Sequence, residues 1–217
     1  MITSIYIVGG MGSGKSSVLR FFKKNGVHCF DLDELASEVR ERPDVISELE
    51  SALGISLASA NSTAKNEILA KSMFMSQENH RKVEAILHPK ILELLANKRQ
   101  QLSNNSPDCK IATSQIIDSS KYIAVEASAF KSRRQSPYIN DKDIVLAVIA
   151  NEDIRMNRIL AKGISMHDAK KRIAMQATNE DFAREADYIV LNNGSENELQ
   201  MNLEALFKEL YKNESQQ

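Results

Sequence analysis

Tryptophan is absent from these 217 residues, and cysteine occurs only twice. Without tryptophan there is little material for an aromatic platform on which nucleic-acid bases would stack. Cys29 and Cys109 have no CxxC spacing, so neither a disulfide nor a zinc role is expected and a reducing cytoplasm fits them. The four histidines, His28, His80, His88 and His167, are scattered and support no metal site of their own. Net charge is also nearly missing: 28 basic against 29 acidic residues leave −1, which excludes the basic footprint of a dedicated nucleic-acid binder. No run is long and apolar enough to span a bilayer, and the first residues pass straight into a strand pattern. No membrane partner and no signal peptide are therefore expected. What remains, 42% hydrophobic and 26% charged residues, suits a soluble chain with one α/β core and an elaboration or two.

What is present is concentrated near the start. Ile5-Tyr6-Ile7-Val8 reads as a buried parallel strand, and Gly9, four residues, then Gly14-Lys15-Ser16 has the spacing of a phosphate-binding P-loop. The glycines let the backbone curl so that successive N–H groups point at phosphate oxygens, and the following helix turns its positive end to the same anion. Gly10, Met11, Gly12, Ser13, Gly14, Lys15, Ser16 and Ser17 are thus candidate contacts to a nucleoside triphosphate. Lys15 would reach the β- and γ-phosphates, and the Ser16 hydroxyl would ligate Mg²⁺.

Downstream, the spacing predicts a helix from about Gly14 to Lys24, a strand at Val27–Phe30, and a helix opened by Asp31 and Glu34 and ended by Arg42-Pro43. From 43 to about 102 the strand signal vanishes. Leu49, Leu53, Leu69, Phe74, Val83, Leu87, Ile91 and Leu95 recur at threes and fours, which predicts a helical insert with an irregular loop over Gly54–Thr63. Ser103–Pro107 reads as a polar hinge, and the stretch from Lys110 to Ser120 has no clear pattern. Tyr122–Val125 ending in Glu126, Ile144–Ile149 and Tyr188–Leu191 are the remaining strands. Between the last two lies a basic helical stretch with Arg155, Arg158, Lys162, Lys170, Lys171, Arg172 and Arg184. A final amphipathic helix carries Leu199, Leu203, Leu206 and Leu210. Such alternation predicts an α/β P-loop NTPase fold: three layers, a parallel sheet, a helical substrate-domain insert and a helical lid. The expected divisions are a core over 1–42, 103–150 and 185–217, an acceptor domain over 43–102 and a lid over 151–184. Ligands in such sheets sit at the carboxyl ends of the strands, which brings Asp31, Asp33, Glu126 and Asn192 near the loop.

Five segments in order resemble the dephospho-CoA kinase family. They are Gly9-Gly10-Met11-Gly12-Ser13-Gly14-Lys15-Ser16, Asp31-Leu32-Asp33-Glu34-Leu35-Ala36, Ile86-Leu87-His88-Pro89-Lys90-Ile91, Arg172-Ile173-Ala174-Met175-Gln176, and Ala186-Asp187 through Asn193-Gly194. The resemblance implies transfer of the ATP γ-phosphate to the ribose 3′-hydroxyl of dephospho-CoA, the last step of coenzyme A synthesis, with Mg²⁺. It implies Asp33 as the base; spacing alone serves equally well for an acid in the first turn of a helix. It places His88, which precedes Pro89 at an expected helix start, on the acceptor side, where simple packing is an equal alternative. Glu126, at a strand end, is a candidate for the acceptor side and for Mg²⁺ through water. Arg158, Lys162 and Arg172 are the lid cations best placed by that pattern, Arg172 first among them, and Asn192 is a candidate adenine contact or a plain turn residue. Four positions depart from that pattern: Val8 replaces a threonine, Asn66 an arginine, Ser132 a carboxylate, and Lys162 an arginine. These departures keep open a small-molecule kinase with a different acceptor, and a nucleotide-binding module without transfer activity.

Overall fold

The computed structural model describes residues 2–58, 60–104 and 121–214, the backbone alone at 103–104 and 210–214. Cys109, most of the expected Ser103–Pro107 hinge, the 110–120 stretch, the Leu210 side chain and the last three residues lie outside the described residues. Among those described, five strands form one parallel sheet: β1 (Thr3–Val8), β2 (His28–Asp31), β3 (Tyr122–Glu126), β4 (Ile144–Ile149) and β5 (Tyr188–Leu191), in spatial order β2-β3-β1-β4-β5. The glycine-rich loop follows the central strand.

The apolar runs of β1, β3 and β4 do not alternate because both faces of the sheet are covered there, whereas Ile189 and Leu191 on edge strand β5 are exposed. Ile5, Ile7, Ala124, Leu146, Val148 and Val190 face α1 (Lys15–Lys24) and the C-terminal helix Glu196–Glu214, in one cluster with Val18, Phe22, Leu203 and Phe207. The alternate residues Tyr6, Val8, Val125, Val145 and Ala147 turn the other way and are equally buried. Phe21 and Phe207 stack with centroids 5.8 Å apart, which fixes α1 beside that last helix. The sequence places α1, β4 and β5 at or within a residue of their observed bounds.

The described residues form two compact units, 2–31 with 121–214, and 32–104. That helical unit contains α2 (Leu32–Arg40), α3 (Pro43–Leu53), α4 (Ser62–Met75) and α5 (Gln77–Asn104). It begins at Leu32, so α2 belongs to it instead of to the sheet core expected for 1–42. The reason is packing: α2 lies along α5, Leu35 and Val39 are buried, and Glu38 meets Lys98 at 3.1 Å. Val83, Leu87, Ile91 and Leu95 recur every fourth residue as the buried face of α5. His88-Pro89, expected at a helix start, instead lies inside this helix. Proline there withdraws one backbone donor, and the apolar face runs on through it. Phe74 is not inward: it is 85% exposed, about 200° round α4 from buried Ser72.

The basic stretch forms α6 (Glu152–Leu160), α7 (Met166–Ala174) and α8 (Asn179–Glu185), and the C-terminal helix is α9. Ser165 caps α7 and Thr178 forms a capping box with Asp181 on α8. Arg133 ties the loop before β4 to β5: it bonds the Glu185 carbonyl at 3.0 Å and pairs with Asp187. Asp187 in turn accepts the Val145 N–H at 2.8 Å. That network accounts for the Ala186-Asp187 segment as the joint between β4 and β5.

Candidate active site

β1 delivers the chain to Gly9, and the turn that follows is closed by the Ser13 N–H on the Gly10 carbonyl at 3.1 Å. Gly14 stands at the head of α1 with φ 101°, a region open to glycine. A side chain there would also run into the amide of Asn192. Gly10 is required for a different reason, since the Arg155 guanidinium passes over its Cα.

The carbonyls of this loop are held from outside. Arg155 Nε donates to the Met11 carbonyl at 2.9 Å. Arg158 lies 3.4 Å from the Gly12 and Ser13 carbonyls, and Asn192 Nδ2 donates to the Ser13 carbonyl at 2.7 Å. In a trans peptide the C=O and the following N–H point in opposite directions. Fixing the Met11 and Ser13 carbonyls outward therefore turns the Gly12 and Gly14 N–H groups the other way. The first-turn N–H groups of α1 extend the same donor set, since a helix start supplies them with no intrahelical acceptor. Ser13 Oγ is buried with no hydrogen-bond partner. A cradle of donors with an unfilled hydroxyl fits a phosphate chain.

Lys15 is buried, with Nζ 3.1 Å from the Gly9 carbonyl and 4.0 Å from Glu126 Oε1. Glu126 is 6% exposed and lies in register with Ile7 on one side and Asp31 on the other. The carboxyl ends of β2 and β3 thus carry Asp31 and Glu126, and Glu126 stands beside the lysine. Ser16 is exposed in the first turn of α1 and Ser17 half-buried behind it. Among the described residues no group of three or more His, Cys, Asp or Glu side chains could hold a metal. A cation here would take most ligands from phosphate and water, the habit of Mg²⁺.

Three comparisons bear on this arrangement. A family model described as dephospho-CoA kinase matches residues 3–116, more than half of the chain. The chain belongs to the dephospho-CoA kinase family. Curated dephospho-CoA kinases from Chlorobaculum tepidum and Frankia casuarinae are 27% and 29% identical to it. The alignments cover 94% and 95% of this chain, and 93% and 83% of those proteins. A Thermus thermophilus structure superposes with TM-score 0.75 at 24% identity, over 96% of this chain and 98% of that one. Dephospho-CoA kinase from Campylobacter jejuni does so with TM-score 0.66 at 18% identity, over 99% and 100%. Those two structures share the fold.

Within this family frame the other expected residues are dispersed. Asp33 is exposed in the first turn of α2, two residues past the end of β2. His88 is half-buried on α5, and burial pulls its pKa below the usual histidine range, Glu84 opposing and His80 assisting. Lys162 and Arg172 are exposed, just after α6 and on α7 respectively. Ser132, where the family pattern has a carboxylate, lines an open cavity of about 390 Å³ with Lys131, Met175, Gln176 and Arg184. Asn192 is 5% exposed and its amide is engaged with the loop and with Arg158. Arg155 is the residue sequence reasoning passed over. It is 4% exposed, and burial lowers its pKa while Glu152 pushes it back up. Nothing in the sequence sets it apart from the other cations of that basic stretch.

Proposed function

We propose that the protein phosphorylates the ribose 3′-hydroxyl of dephospho-CoA with ATP, giving coenzyme A and ADP. The observation that carries this reading is the outward anchoring of the Met11, Gly12 and Ser13 carbonyls beside a buried Lys15 at the carboxyl edge of a parallel sheet. Phosphoryl transfer is positioning plus neutralisation of charge on the transferring group. The Gly12 and Gly14 N–H groups and the start of α1 bind the triphosphate, and Lys15 exchanges its contact with the Gly9 carbonyl for phosphate oxygens. Ser16 and, through water, Glu126 would hold Mg²⁺, which would supply further neutralisation of phosphate charge. Asp33 accepts the proton of the attacking hydroxyl. Arg172 and Lys162, on the segment 151–184 acting as a lid, close over the phosphates. His88 lies on the acceptor side with the helical unit, and Asn192 serves the nucleotide by holding Ser13. The proposed location is the cytoplasm, whose reducing conditions suit the cysteine usage of the chain.

Asn66 and Ser132 support a second reading, a P-loop kinase with another hydroxyl acceptor. The deciding experiment incubates the purified protein and the Asp33→Asn variant with Mg-ATP and dephospho-CoA and reads products by mass spectrometry. Coenzyme A from the native protein, sharply reduced in the variant, is the expected result. ATP binding without product would overturn the acceptor assignment, and a screen of nucleosides and other hydroxyl compounds would follow.

A further inference from the structure

We propose that Arg155 and Gln176 are a positioning pair that presets the phosphate loop by holding both polar groups of Met11. The proposal rests on reading that loop as the ATP site. Gln176 Oε1 accepts the Met11 N–H at 2.7 Å, and the same oxygen accepts from Arg155 Nη2 at 3.4 Å. Arg155 Nε closes the circuit on the Met11 carbonyl at 2.9 Å. The circuit spans residues 165 positions apart. It fixes the peptide planes on both sides of Met11, and the plane after it carries the Gly12 N–H.

Two features separate this from incidental packing. A buried guanidinium is costly unless its donors are met, and an apolar side chain would fill the same space at less cost. Arg155 instead spends its donors on the loop and on the glutamine. Gln176, for its part, sits in the connection between α7 and α8 and lines the cavity that contains Ser132. The segment that carries Arg172 is therefore tied to the loop through one hydrogen-bonded oxygen. The pair touches Met11 and not the reacting atoms, so its effect is on the shape presented to phosphate, and preorganisation is read as affinity.

The test titrates ATP and ADP by calorimetry into the native protein, Gln176→Leu, Arg155→Met and the double variant. Each single substitution should weaken both nucleotides about tenfold, the scale of one lost charge-assisted hydrogen bond. The double variant should be no weaker than the poorer single one, because the pair acts as a unit. KM for ATP should rise in step while KM for dephospho-CoA stays unchanged. Folded variants with native affinity, or losses that add in full, would overturn the proposal. A measurement on the native protein guards against misfolded variants: the Met11 amide should exchange with solvent more slowly than that of Gly12, and equal rates would also overturn it. Missing transfer to dephospho-CoA with normal ATP titrations would count against the acceptor assignment alone.

Discussion

The Asn192 side-chain amide and the Ser13 carbonyl meet at 2.7 Å across 179 positions of chain, so the turn after the last strand supports the loop after the first. β5 and β1 are not neighbours, since β4 lies between them. The bond therefore crosses the end of a middle strand, and Asn192 is buried in doing so. Its Oδ1 is reached by Arg158 at 3.3 Å, which gives one asparagine both an acceptor and a donor role at the loop.

Asn192→Ala should cost about 1–3 kcal/mol of stability through the unmet Ser13 carbonyl, and should weaken ATP binding. Asn192→Asp should be worse, because a carboxylate would face that carbonyl with no proton to donate. Chemical denaturation and nucleotide titration of the two variants check the order.

Gly14→Ala should destabilise the protein by about 1–3 kcal/mol, since φ 101° is sparsely open to alanine. The new methyl also meets the Asn192 amide. Combining it with Asn192→Gly should recover part of the loss and leave the backbone strain. Full recovery in the melting temperature would show that contact, and not φ, had been the main penalty.

Lys15→Met should lower kcat by roughly 100- to 1,000-fold, the scale for one oriented charge at a developing anion. Because Nζ also stands 4.0 Å from buried Glu126, the loss should extend to stability. Denaturation of Lys15→Met, Glu126→Gln and the double variant should show non-additivity of at least about 0.5 kcal/mol. Additive effects would mean that the two groups are not coupled.

His88 supplies a pH test. Its folded pKa is held below the ordinary histidine value of about 6.5, mainly by burial, so the unfolded chain binds a proton that the folded chain refuses. Stability from this group is complete above pH 6.5 and is lost as pH falls toward the folded pKa. His88→Gln should flatten that acid-side decline. Urea midpoints between pH 7.5 and 5 read the difference, and parallel curves would reject it.

Local pattern was enough for much of the chain. Apolar runs rich in β-branched residues marked β1 and β4 because a doubly covered parallel strand has no solvent-facing side, and the glycine spacing marked the loop because that backbone curls around phosphate. Asn25-Gly26 and Arg42-Pro43 marked helix ends through their own φ preferences. Tertiary structure decided the rest. A lone arginine on an amphipathic helix is periodic in the same way whether it is solvated or buried, so Arg155 could not be told from Lys170 until α6 docked on Met11. Phe74 and Leu69 have the same chemistry, and only the packing of α4 on α5 separates the exposed one from the buried one. Pro89 reads as a helix start in isolation and lies inside α5 because burial along the whole apolar face outweighs one missing backbone bond. The sequence by itself determined the strands, the loop and the kind of ligand it takes; three-dimensional packing decided which side chains hold the loop in shape, because those contacts join residues more than 140 positions apart and leave no periodic trace.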